Sequence, residues 1–411
     1  MTSVPAPSPV PDPDRRLALI LCACEVLGMA GTMTLPALLP ALLAEWGLGA
    51  AEGGWLVGIA QAGYVAAVPL LVTWTDRIDP RRIYIACTVL AALSVAGFAW
   101  LADGFWSAML FRALGGVALA GTYMPGLRIL SDHATGPRAR RYMSFYTASF
   151  ALGSSVSVLL GGWVAEAGGW RMAFWASALA TLLAVLLAFR IPAADPDRPA
   201  PEGNILDVRP VLRHRPAMGY ILAYTVHCWE LFGLRGWLVA FLGFAALSAG
   251  TAIEPGTLAS IAAFVLLLSL PASILGNEAA ERWGRTRFLT FAMWISAALA
   301  CVVGFTAGLP LWLVVAVCSA YAVTVNWDSA SLTVGAVTEA VEGRRGATMA
   351  VHSFLGFTGA FVGPVVFGLI LDMAGGPDSR TAWGLAFLSF GAVVALGPLF
   401  LRRSARCPGR V

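Results

Sequence analysis

Six ionisable residues stand well inside apolar runs of this chain: Glu25, Arg112, His227, Glu230, Arg235 and Asp328. A charge in hydrocarbon costs roughly 2.5 to 3.5 kcal/mol on insertion scales, so each of them needs a partner, water or a function. Proton chemistry is the natural use. A carboxylate that gains and loses an arginine neighbour as a protein changes shape takes up and releases a proton, and Glu25 with Arg112 is the expected pair. His227 and Glu230 lie three apart on one helical face, a spacing at which they can share a proton. Plainer readings stand beside these. Glu25 and Arg112 can form a structural ion pair, His227 and Glu230 a structural hydrogen bond, and Arg235 can snorkel towards the outer edge. Asp328, beside Asn326 and Trp327, is read as functional, and Tyr64, Tyr123 and Trp229 are candidates to line a pocket, although a Trp in an apolar run more often packs. No metal is expected, because His227 and Glu230 have no third ligand at a suitable spacing.

Enzymatic chemistry has no foothold. All 27 basic residues are Arg, so a P-loop and lysine Schiff-base or lysine-base mechanisms are excluded. HExxH and Gly-x-Ser-x-Gly patterns are missing as well. No catalytic residue and no cofactor is expected. The seven cysteines fall mostly inside apolar runs without metal-ligand or disulfide spacing and read as packing residues.

The elements that carry these residues are transmembrane. Of 411 residues 58% are hydrophobic and 12% charged, too little polar surface to cover a soluble globule. Apolar stretches long enough to cross about 30 Å of hydrocarbon occur at 17–43, 54–74, 83–101, 105–127, 142–165, 172–189, 217–246, 256–277, 288–307, 310–337, 347–371 and 382–401. An all-α polytopic protein of twelve spans is therefore expected, with Gly308 and Pro310 separating the ninth from the tenth. The run from Leu17 is too long for a signal-peptide core and reads as the first span. At 1.5 Å per residue, Glu25 lies about 12 Å and Glu230 about 20 Å from the inner edge, and Arg112 about 10 Å from the outer edge, all near midplane.

Arginines gather at Arg15 and Arg16 and at the exit of every even-numbered span; the outer loops carry acids, with Arg171 and Arg380 as exceptions. The positive-inside rule then places both termini in the cytoplasm. The expected organisation is a tail at 1–16, a six-helix bundle at 17–190, a Pro-rich linker at 191–216, a second six-helix bundle at 217–401 and a tail at 402–411.

Motifs recur at an offset of about 205 residues. Glu25 matches Glu230, Asp76-Arg77 matches Glu281-Arg282, and Gly162 and Glu166 match Gly368 and Asp372. Two parallel repeats related by an axis along the membrane normal would hold a site near midplane at their interface. Asp76, Arg77, Glu281, Arg282 and Arg285, with Arg128 and Asp132 at the inner end of the fourth span, are expected to form latches on the cytoplasmic face.

These residues resemble the major facilitator superfamily. The loop from Gly276 through Glu281-Arg282 to Gly284-Arg285 is similar to that family's signature between paired helices, while its first-half counterpart departs from it, with Asp79 where the family has Gly and no leading Gly. Arg112-Ala-Leu-Gly115-Gly116 resembles a pattern that the family associates with proton coupling, and Gly169-Trp170-Arg171 is a further family-like phrase. The Gly-Pro of the drug-antiporter signature is missing, with Ser157-Val158 in its place. The resemblance implies that spans one, four, seven and ten line a central cavity, and these are the spans that hold the six buried ionisable residues.

The function expected is secondary active transport of a small molecule by alternating access, coupled to protons, with export of a small organic compound favoured over import of a small anion such as nitrate or cyanate. A receptor or assembly factor on the same fold is the alternative of another class. The expected partners are a small-molecule substrate, protons and the lipid of an inner membrane, with no nucleic acid and a monomeric state.

Overall fold

Residues 13–75, 77–133, 137–193 and 208–405 are described by the computed structural model. The first apolar run is not one helix. It enters as α1 (Pro13–Gly28), passes through a 3₁₀ turn (Met29–Gly31) and resumes as α2 (Thr34–Trp46). The glycines at the break have low helix propensity, and the carbonyl it exposes is well supplied with donors. Ala30 O accepts from Ser157 Oγ at 2.5 Å, Thr34 Oγ1 at 2.9 Å and Ser177 Oγ at 3.1 Å, while Met33 N donates to Ser157 Oγ at 2.9 Å. A broken helix in a membrane is tolerated only where its freed backbone groups find such partners.

Next come α3 (Ala50–Trp74) and α4 (Pro80–Leu101), both continuous, then α5 (Phe105–Ala120) and α6 (Tyr123–His133), which are two parts of one run. The 52-residue α7 (Pro137–Ala188) would extend about 78 Å if straight, more than twice the hydrocarbon thickness. It is interrupted at Gly168 and Gly169, the latter at φ +79°, a backbone setting that glycine adopts without penalty. The second half begins with the short α8 (Arg209–Arg213) and the long α9 (Arg215–Ser248). There follow α10 (Pro255–Leu267) with α11 (Ser269–Trp283), α12 (Arg285–Val303), α13 (Leu311–Trp327) with α14 (Ser329–Thr338), α15 (Arg345–Met373), and α16 (Arg380–Val394) with α17 (Gly397–Ala405). Among the described residues there is no strand, and eleven helical stretches are long and apolar enough to cross a membrane.

The halves meet along two helix pairs, α3 with α15 and α7 with α10. Gly54 and Gly58 abut the carbonyls of Pro364 and Phe361, and Gly368 abuts that of Ala50, so a Cβ at any of these would collide with backbone. Small residues let membrane helices approach in this way. At the end that carries the acidic loops, the pairs are tied by hydrogen bonds. Asp372, at the end of α15, accepts from Ala50 N at 2.9 Å and Ala51 N at 2.7 Å. Glu166 in α7 accepts from Gly256 N at 2.8 Å, and Trp163 Nε1 donates to Ser260 Oγ at 2.9 Å. Each carboxylate thus caps the first turn of a helix from the other half, where free N–H groups and the helix dipole favour negative charge. The α3–α15 contact continues to midplane, where Tyr64 stacks on Phe357 at 4.1 Å. Nearer the Arg-rich end of α15, Phe354, two turns before Phe361 on the same face, is 46% exposed.

Two departures from the sequence pattern acquire a physical reason. Gly276 packs against the backbone of Trp327, whereas the first half has Leu71 at the corresponding place and the glycine on the opposite helix, since Leu71 reaches the Gly121 position. At Gly121 the space is taken by the side chains of Cys87 and Leu71, so no backbone of a neighbouring helix is met there as at Gly276. The two arginines on the acidic side cap helix C-termini. Arg171 donates to the carbonyls of Ala99 and Ala102, each at 3.0 Å, and Arg380 to that of Ser248 at 3.1 Å.

Candidate functional site

Where α1 breaks, the carbonyl of Thr32 is freed and Arg112 of α5 takes it. Arg112 Nη1 donates to Thr32 O at 3.0 Å and Nε to Leu56 O at 3.3 Å. The expected Glu25–Arg112 ion pair is not formed in this conformation. Glu25 Oε2 instead lies 3.1 Å from the hydroxyl of Tyr146, which also has the carbonyls of Thr122 and Tyr123 in reach at 3.3 and 3.1 Å. Glu25 and Arg112 still line one cavity in the first half, together with Gln61, Tyr84 and Thr122. A second cavity lies between the halves and shares Met29, Thr32, Gln61, Arg112 and Leu119 with the first. From the other half it receives Phe232 and Arg235 of α9 and Ala360 and Pro364 of α15. Arg235 does not snorkel outward. Its guanidinium lies 5.9 Å from the Phe150 ring centre and 5.6 Å from that of Phe232.

The expected proton sharing between His227 and Glu230 is corrected. His227 Nδ1 is 2.7 Å from Asp328 Oδ1, both side chains at most 3% exposed, while Glu230 Oε1 accepts from Ser296 Oγ at 2.8 Å. Three residues turn a helix by 300°, leaving about 60° between the side chains, and here this sends one to the α13–α14 break and the other to α12. Asp328 sits at that break and Leu332 N donates to its carbonyl at 2.8 Å. Asn326 donates one amide N–H to Ala322 O at 2.8 Å on its own helix. Tyr64 is held by Phe357, and Tyr123 lies against Tyr146 with ring centres 5.9 Å apart. The indole N–H of Trp229 is buried without a partner among the described residues.

On the Arg-rich face Arg128 Nη1 donates to Thr75 Oγ1 at 2.7 Å and Arg128 pairs with Asp132 at 3.7 Å. Asp76 lies outside the described residues, and Arg77 is exposed. In the second loop Glu281 is not the partner of Arg282, which pairs at 3.8 Å with Glu278 one turn earlier, with both side chains exposed. Such a pair contributes little. Arg285 is the connecting residue, donating to Ser331 Oγ at 2.9 Å and to Asn277 Oδ1 at 3.3 Å. Among the described residues no group of three or more His, Cys, Asp or Glu is placed to hold a metal.

Sequence reasoning missed Gln61, Tyr146, Ser157 and His352. Gln61 is 7% exposed with its amide oxygen unpartnered. His352 stacks on Tyr224 with ring centres 3.9 Å apart, and the Tyr224 ring centre lies 5.7 Å from that of His227. A search for every polar side chain in an apolar run, not only the charged ones, would have found them.

Two helical halves with a cavity bearing two arginines at their interface make up a multi-pass, all-helical membrane protein. The chain belongs to the Major Facilitator Superfamily, whose family model matches residues 21–256. It is 27% identical over 249 residues to the uncharacterized MFS-type transporter YbcL of Bacillus subtilis, covering 58% of this chain and 59% of that protein. With the niacin transporter NiaP of Acinetobacter baylyi it shares 23% identity over 155 residues, 38% of this chain and 35% of NiaP. The chain therefore matches well under two thirds of the length of these relatives. Among solved structures, a bacterial homologue of the human lysosomal transporter Spinster, in an inward-facing and occupied conformation, superposes with a TM-score of 0.79 at 16% identity over 97% of this chain and 98% of that one. The nucleoside transporter NupG gives 0.74 at 14% identity over 96% and 99%.

Proposed function

We propose that this protein is a secondary active transporter that moves a small organic compound by alternating access, coupled to protons. The observation that carries the reading is the arginine-bearing cavity between the halves, which hydrogen bonds tie together at the end that carries the acidic loops. A cavity reachable from one side at a time is what alternating access requires. The break at Gly168-Gly169 would divide the eleven candidate stretches into twelve spans, with both termini on the Arg-rich, cytoplasmic side of an inner membrane. Buried His227 and Asp328 are the groups assigned to the proton, in place of the Glu25–Arg112 pair.

Purified protein in proteoliposomes under an imposed pH gradient tests this. Solute flux that a protonophore abolishes is expected, and Asp328→Asn is expected to lose gradient-driven flux while keeping solute exchange. Flux indifferent to the gradient would overturn coupling, and the absence of any flux across a broad solute panel would overturn transport.

A further inference from the structure

Arg112 and Arg235 come from different halves and line the same inter-half cavity, and no lining residue of that cavity is a carboxylate. The buried acids are engaged elsewhere: Glu25 at Tyr146, Glu230 at Ser296 and Asp328 at His227. Arg112 is supported by two carbonyls. Arg235 has two ring faces and, among the described residues, neither a hydrogen bond nor an ion pair. Carbonyls and rings orient a guanidinium but leave its charge in place. A positive cavity at this depth lacks a counter-charge that a ligand can bring. Beside the arginines, the amide oxygen of buried Gln61 is also unpartnered. The rest of the wall is mostly apolar, with Met29, Met33, Val57, Phe150 and Phe232 beside Thr32 and Ser154.

We propose that this cavity binds an organic monocarboxylate with a ring-sized apolar body, its carboxylate on Arg235 and its body between the two phenylalanines. The fork of a guanidinium matches a carboxylate with two parallel hydrogen bonds, and the aromatic and methionine wall suits a flat apolar body rather than a hydrated inorganic ion. Arg112, fixed by its carbonyls, supplies the second positive charge. The inference deepens the transport reading and rests on it for its biological meaning, but the site can be tested without transport.

Binding to detergent-purified protein, followed by thermal stability and intrinsic tryptophan fluorescence, is compared for benzoate, its uncharged amide benzamide, the cation benzylamine, and nitrate. Benzoate is expected to bind at least about tenfold more tightly than benzamide, since a hydrogen bond to a charged group contributes on that scale. Benzylamine and nitrate are expected to give no saturable response. Arg235→Gln, shown to be folded by size-exclusion elution and melting temperature, is expected to lose the preference for benzoate over benzamide, and Arg235→Lys to keep part of it. Equal binding of benzamide or benzylamine, a response to nitrate without benzoate, or silence to all carboxylates in folded wild-type protein would overturn the proposal. Saturable benzoate binding without flux in proteoliposomes would leave the site standing and remove the transport reading. Flux of a neutral solute without carboxylate binding would do the reverse.

Discussion

One backbone oxygen, that of Ala30, collects three hydroxyl donors, and Ser157 among them also accepts from Met33 N. Ser157→Ala removes both bonds and leaves the Met33 N–H without an acceptor, while Ser177 and Thr34 still satisfy Ala30. The expected cost is about 1 to 3 kcal/mol, that of an orphaned buried donor, read as a lowered melting temperature. Glu230→Gln, in contrast, keeps an oxygen for the Ser296 hydroxyl and is expected to leave the melting temperature unchanged. A large drop would show that the neighbouring Tyr321 hydroxyl needs the carboxylate. The charged residues were legible in the sequence because a charge among apolar residues carries a penalty too large to be incidental. Their partners were not, since partnership depends on helix rotation and on where a helix breaks, neither of which appears in residue spacing. Glu25 was expected to pair with Arg112, yet both take partners produced by breaks: Tyr146 beside the α5–α6 junction for Glu25, and the Thr32 carbonyl for Arg112.

Among the elements, the interrupted helices and the two caps across the halves carry the most consequence. Glu166 and Asp372 were found in the sequence by the recurring offset of about 205 residues. Their acceptor role was hidden because the N–H groups they bind lie 90 and more than 300 residues away along the chain. Each carboxylate caps a helix from the opposite half, so each bond exists only while that end is shut. Removing a cap costs about 1 kcal/mol, which shifts a two-state equilibrium about fivefold. Glu166→Ala with Asp372→Ala is therefore expected to move the population towards opening at the acidic end. Spin labels placed near Ala51 and Met373 would show a longer-distance component in the double variant, and an unchanged distance distribution would mean that packing at Gly54, Gly58 and Gly368 alone holds this end closed. The first-span break is the converse case, for the apolar run from Leu17 was legible as a span while the interruption at Gly28–Met33 depends on donors contributed by α7.

At the scale of the whole molecule, the distribution of arginine orients the chain, and the two exceptions sharpen that argument. Arg171 and Arg380 occupy carbonyls at the ends of α4 and α9, so their place on the acidic side is explained by helix capping. What remains is one basic face, from Arg15 and Arg16 through Arg81, Arg128, Arg285 and Arg344, and one acidic face. Moving that many arginines across a bilayer is opposed at each crossing, which fixes the expected topology without reference to any relative. It predicts that Ser379, at the start of α16, and Gly343, before α15, lie on opposite sides of the membrane, as a single intervening span requires. Single cysteines at these two positions, in a background with the native cysteines replaced, are expected to differ: a membrane-impermeant maleimide added to intact cells labels position 379 and reaches 343 only after permeabilisation. The reverse pattern would turn the molecule over and place the closed, capped end in the cytoplasm. Labelling of both from outside would mean that α15 does not span, and the cavity between α9 and α15 would then lose its membrane setting together with the reason for two buried arginines to await an anion.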